Sequence, residues 1–166
     1  MITGFPAPED TLFRSLTGTP RDVALLVGRV VLGYIILMHC LKKVGAGLFT
    51  TAAVFQNFGI PLAIAAASFT IVVEVVVTVS LVLGYRMVIP AGLMTFVMCG
   101  AIFFVHGKNG LFMDNKGWAL VGVIICGLLF VAAAGPGRFS LDAWLDRIAE
   151  RKAARQDGRH RRVLAV

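Results

Sequence analysis

Cysteine is scarce and scattered. Cys40, Cys99 and Cys126 make an odd number with no CxxC spacing, which excludes a disulfide framework and leaves them as small apolar packing residues. Metal-ligand spacing is missing too. No helical segment carries two histidines on one face, and no carboxylate completes a set with His39 and His106, so no metal site is expected and haem is disfavoured. There is no internal repeat, no inverted pair of broken apolar segments of the kind a solute carrier uses, and no low-complexity segment beyond a basic tail. The first residues include Glu9 and Asp10 and lack a basic n-region, so no signal peptide is expected there. No nucleic-acid motif accompanies the net charge of +7.

Apolar length is what the chain has. It is 58% hydrophobic with a mean hydropathy of +0.84, above the roughly half-apolar composition of soluble domains. Four runs approach or exceed the ~18 apolar residues of a spanning helix: Val23–Leu41, Leu62–Gly84, Met87–Val105 and Gly117–Ala134. The expected fold is all-α, a polytopic four-transmembrane-helix bundle with a C-terminal amphipathic helix at the membrane surface. Residues 1–21 form an N-terminal interfacial segment in this reading, with Leu12, Phe13 and Leu16 on one side of a brief helical turn. Residues 22–137 form the transmembrane domain, and residues 138–166 a basic amphipathic helix and cytoplasmic tail.

Local signals set the connections. Thr19-Pro20-Arg21-Asp22 reads as a helix start, with Thr19 as N-cap and Asp22 near the positive end of the dipole. Thr50 to Phe58 reads as a short surface helix, Gly59-Ile60-Pro61 as the turn into the second span, and Gly84-Tyr85-Arg86 as a tight link between antiparallel neighbours. Gly135-Pro136-Gly137 stops the fourth helix and Ser140 caps the next, in which Leu141, Trp144, Leu145 and Ile148 share a face. Eight of the sixteen basic residues follow Gly137, and with Arg14, Arg21 and Arg86 they place both termini on the cytoplasmic side of the bilayer. Arg138, Trp144, Arg147 and Arg151 are the candidate interfacial and docking residues, facing anionic lipid rather than nucleic acid.

Two charges lie alone within apolar runs. Arg29 sits roughly 10 Å along the first span and Glu74 roughly 18 Å from the Arg86 end of the second. A charge at that depth is costly and is expected to face protein, so the two are expected to pair. Thr70 and Thr78 lie one turn to either side of Glu74 on the same face and extend this polar site. The pair reads either as a packing device or as a proton-carrying or ligand-binding carboxylate tuned by arginine. Thr95, Cys99, Ile102 and His106 share a face of the third span, and His39 and His106 are candidate ligand contacts near the outer surface. Gly28, Gly92, Gly100, Gly122 and Gly127 read as helix-contact positions. No residue is assigned a catalytic role.

Several of these residues together resemble the DoxX family of small four-helix bacterial membrane proteins. The resemblance is carried by Arg29 with Gly33, His39 and Lys42-Lys43, Phe58-Gly59-Ile60-Pro61, Glu74, Gly84-Tyr85-Arg86 and His106. Its strongest part is Gly135-Pro136-Gly137-Arg138-Phe139-Ser140-Leu141-Asp142, similar to the family's closing GPGRxSLD signature; the likeness covers about residues 22–145. Cys40 stands where the family often has glycine, and Trp118-Ala119 lacks an acidic residue that many members carry there. The resemblance implies a bacterial plasma (inner) membrane protein in a redox setting, since the family takes its name from a thiosulfate:quinone or terminal quinol oxidase system. It implies an accessory, non-catalytic subunit of a membrane redox complex linked to quinones, thiols or oxidative stress rather than a stand-alone oxidoreductase. A quinone is then the candidate ligand, and other membrane proteins or a second copy of the chain are the candidate partners. The alternative it leaves is a structural or assembly factor with no ligand of its own.

Overall fold

The computed structural model describes the backbone of residues 18–164 and the side chains of residues 18–156. The amphipathic turn expected at Leu12, Phe13 and Leu16 lies outside the described residues. All regular structure within them is helical. Helix α1 spans Thr19–Ala46, α2 Leu48–Asn57, α3 Ala63–Leu83 and α4 Val88–Ala101. Helix α4 runs on through a π-helical turn at Ile102–His106, and α5 (Ala119–Ala134) and α6 (Leu141–Leu164) follow. The short surface helix and the tight Gly84–Arg86 link stand where the sequence puts them.

The start of α1 differs from expectation. Gly18 holds the cap position, and Thr19 is already helical and makes no side-chain cap bond. At the start of α6, by contrast, Ser140 Oγ accepts from the Ala143 N–H at 3.2 Å, as an N-cap serine should.

Three helical stretches are long and apolar enough to cross a membrane: Thr19–Ala46, Ala63–Leu83 and Val88–Asn109. The fourth apolar run yields a shorter helix. At 1.5 Å per residue its 16 residues rise about 24 Å, against about 30 Å of hydrocarbon. Its first two residues go to the preceding loop, where Gly117, Trp118 and Ala119 donate their N–H groups to the carbonyls of Phe112, Gly110 and Leu111. These hydrogen bonds hold Gly117 and Trp118 outside the helix.

Helix α3 packs against α1 and α4, and α5 packs against α4 and α1, while α2 lies across α3. The core repeats at helical spacing: Ala91, Met94 and Met98 on α4 meet Val121, Ile124, Leu128 and Val131 on α5. Val73, Val77 and Leu81 of α3 face Leu32 and Ile36 of α1. Among the glycines read as contacts, Gly127 packs against Leu32, but an added Cβ at Gly28, Gly92 or Gly100 meets nothing within 4 Å, and at Gly122 only Trp118, four residues before it. A close approach of α1 and α3 is instead seen at Gly33, where a Cβ would lie 3.3 Å from Val82 and 3.7 Å from the Thr78 carbonyl oxygen. The outside is as apolar as the core. Val31, Tyr34, Val72, Val123 and Phe130 are exposed, a surface suited to hydrocarbon rather than water.

Candidate functional site: a cavity with a half-satisfied carboxylate

Glu74 is 1% exposed and pairs with Lys43, whose Nζ donates to Glu74 Oε1 at 2.6 Å. The pairing of Glu74 with Arg29 expected from sequence does not form. Arg29 is fully buried, but its Nη2 donates to the Phe139 carbonyl oxygen at 2.6 Å, at the other end of the helices. The reason is antiparallel register. Lys43 lies 14 residues, about 21 Å, beyond Arg29 on α1, and α3 runs the opposite way, bringing Glu74 level with Lys43 and Gly84 level with Arg29.

The cavity end is held in place by local hydrogen bonds. Lys43 Nζ also approaches the His39 carbonyl oxygen at 3.5 Å, and Thr51 Oγ1 donates to the Lys43 carbonyl at 3.2 Å, fastening α2 to the end of α1. From sequence, Lys43 enters only with Lys42 among the residues that carry the family resemblance. The signal for its role was available, because Arg29, Gly33, Ile36, Cys40 and Lys43 recur at alternating spacings of four and three, one face of one helix.

Beside this pair opens a cavity of about 960 Å³, walled by α2, α3, α4 with its π-helical turn, and the start of α5. Phe55, Phe58, Phe69, Phe96, Phe103 and Phe104 stand in a mainly apolar lining, and Glu74, Lys43, Thr70, Cys99, His39, His106 and Lys116 supply the polar atoms. The size is that of a drug-sized ligand site, apolar with a few polar groups to fix orientation. His106 Nδ1 lies 2.7 Å from the Lys116 carbonyl and His39 Nδ1 lies 2.9 Å from the Ile35 carbonyl. A carbonyl only accepts, so each ring carries its proton on Nδ1, and Nε2 is an acceptor when the ring is neutral. The π-helical turn at Ile102–His106 inserts an extra residue into the helix that bears His106, a distortion frequent at functional sites.

The rest of the expected site divides. Thr70 lines the cavity beside Glu74, whereas Thr78 is buried away from it, its hydroxyl without a partner. Cys99 lines the cavity, Cys126 is exposed elsewhere, and Cys40 is buried with its Sγ 3.9 Å from the Ile71 carbonyl. No group of three His, Cys, Asp or Glu among the described residues is arranged to hold a metal ion.

The opposite end is a clasp built by the Gly135–Asp142 motif. Asp22 Oδ1 accepts from the Arg138 N–H at 3.0 Å, and Ser140 Oγ donates to the Gly137 carbonyl at 2.6 Å. Asp142 Oδ2 accepts from the Arg86 N–H at 3.0 Å. Arg21 donates to the Ala134 carbonyl at 2.9 Å, at the end of α5. Gly84, with φ +66°, is required here: a Cβ would collide with Arg29 Nη1. Trp144, Arg147 and Arg151 are exposed on α6, and Arg147 donates to the Ala143 and Arg138 carbonyls at 2.9 and 3.1 Å.

Comparison with known proteins gives two matches. The DoxX family model matches residues 24–107, just over half of the chain. The chain is also 28% identical over 164 residues to the uncharacterized membrane protein Rv3486 of Mycobacterium tuberculosis (strain ATCC 25618 / H37Rv), covering 93% of this chain and 99% of that protein. No solved structure matches.

Proposed function

The chain belongs to the DoxX family of membrane proteins, and from that premise we propose that it serves as an accessory subunit of a membrane redox assembly. Its contribution is the cavity, as a binding place for a quinone-class molecule with a small polar head and an apolar body. One observation carries this reading: a large, mainly apolar cavity opens beside the buried Lys43–Glu74 ion pair. An isolated packing pair has no need of such a space.

All four apolar helices cross the bilayer in this reading, α5 with the help of its flanking loop. The clasp supports an even number of crossings, because the start of α1, the Gly84–Arg86 turn and the start of α6 meet at one end. That end, rich in arginine, faces the cytoplasm of a bacterial plasma membrane, and α6 lies along the anionic leaflet with Trp144, Arg147 and Arg151 in contact with it. The cavity then opens on the outer side.

The test is gentle extraction from the native membrane followed by intact-complex mass spectrometry and organic extraction of the same sample. Co-purification of a quinone and a redox enzyme supports the proposal. Protein carrying phospholipid alone, with no redox partner after chemical cross-linking in the membrane, contradicts it and favours the structural or assembly role.

A further inference from the structure

Exposure divides the lining of the cavity into two sets. Met98, Val121 and Ile124 line it and are buried, so they form its inner wall. Phe96, Cys99 and Phe103 line it too and are exposed, Phe96 at 70% and Phe103 at 76%. A closed cavity leaves its phenylalanines largely covered by neighbours, so the bundle is open along these three. Spacings of three and four put them on one face of α4, and His106, three residues further, extends the same stripe. From Phe96 to His106 the stripe rises about 15 Å, half of the ~30 Å hydrocarbon core and so the depth of one leaflet.

The end of the stripe at the membrane surface is positive. The Lys116 carbonyl accepts from His106 Nδ1 at 2.7 Å and from Asn109 Nδ2 at 3.3 Å, which fixes Lys116 beside His106. The lining holds one carboxylate, Glu74, and Lys43 already pairs with it. Lys116 also lines the cavity, is exposed, and makes no ion pair among the described residues. We propose that the cavity is entered sideways from the bilayer, across the Phe96–Cys99–Phe103 face, by the single chain of a fatty-acid-class amphiphile whose anionic head stays at Lys116. The leaflet that supplies it is the one at the cavity end, the outer leaflet in the orientation proposed above. The chain exchanges hydrocarbon for an apolar wall without crossing water, and the head keeps its place at the surface beside a cation. This inference concerns ligand class and route and does not rest on the quinone reading; a tailed ring ligand would need the same way in.

The experiment places the full chain in liposomes with palmitic acid carrying a mid-chain diazirine, irradiates, and maps the labelled residues by peptide mass spectrometry. Val72 and Phe130 are exposed without lining the cavity and take label in any case. The expected result is further label on Met98, Val121 or Ile124, which a chain reaches only from within the cavity. Cys99→Trp narrows the entrance and is expected to remove most of that inner label while Val72 and Phe130 keep theirs. The matching alcohol, with the same chain and no charge, should need roughly fivefold more for equal inner label, as loss of one charge contact at a membrane surface implies. Label confined to the outward residues overturns the lateral entrance. A quinone recovered from the native membrane would then leave the cavity reading standing, and recovery of none would end both. Equal inner labelling by acid and alcohol overturns the anionic head at Lys116. The unmodified protein decides the matter even if Cys99→Trp does not fold.

Discussion

Arg29 and Lys43 stand on one face of α1, yet only Lys43 reaches the Glu74 carboxylate, while Arg29 is turned to the Phe139 carbonyl at the far end. Two buried charges that look like partners in the sequence therefore do separate work. One closes a clasp of backbone and side chains, and the other sits on a cavity.

This separation predicts the outcome of double-mutant cycles on stability in detergent. Lys43→Met leaves the Glu74 carboxylate buried without its cation and is expected to cost roughly 3 kcal/mol, with much of that recovered in Lys43→Met/Glu74→Leu. The Lys43/Glu74 coupling is expected to exceed about 1 kcal/mol, and the Arg29/Glu74 coupling to stay within about 0.5 kcal/mol. A large Arg29/Glu74 coupling would contradict the register described here.

Gly84→Ala is expected to be among the most damaging small changes in the chain. The added methyl collides with Arg29 Nη1 at a backbone φ of +66°, combining overpacking with left-handed strain, at about 2–4 kcal/mol. The thermal midpoint of the purified variant reports it. The same change at Gly92, where a Cβ meets nothing within 4 Å, should be silent or slightly stabilising.

Asp22→Ala removes the acceptor for the Arg138 N–H and its neighbouring guanidinium, 3.9 Å from Oδ2. The expected effect is about 1–3 kcal/mol, and faster tryptic cleavage after Arg138 as the motif loosens. Asp22→Asn retains a carbonyl oxygen at the same place and should lose less.

The three thiols should separate by reactivity. Cys40 is buried, while Cys99 and Cys126 are exposed and only Cys99 lines the cavity. A membrane-permeant maleimide is expected to modify Cys99 and Cys126 and spare Cys40, and an occupant of the cavity should protect Cys99 alone. Peptide mass mapping reads both effects.

Much of the fold was legible because its signals are local. Apolar runs, the Gly84-Tyr85-Arg86 link and Ser140 before α6 each act within a few residues. The partner of Glu74 was not legible in that way. Reading Arg29 and Glu74 as a pair used depth alone, and depth is shared by groups on opposite halves of an antiparallel packing. Facing Lys43 required register, which the face repeated from Arg29 to Lys43 encodes only once α1 is known to extend to Ala46. The π-helical turn at Ile102–His106 and the shortening of α5 were invisible for a different reason. Both depend on hydrogen bonds made by the loop at residues 107–118, whose sequence has no periodicity to read. The cavity itself is a product of tertiary packing, and no run of sequence announces it.

The measurement that bears most directly on the central claim is the content of the cavity in a filled variant. Ala66 lines the cavity eight residues before Glu74 on α3, and Ala66→Trp is expected to place a bulky side chain inside it. Protein extracted from its native membrane with and without this change should be compared for co-purifying apolar molecules. The account predicts a quinone-class molecule at near-equal ratio to the unmodified chain and its loss from the filled variant, with the thermal midpoint otherwise maintained. Equal recovery from both, or from neither, would contradict the cavity as the functional site.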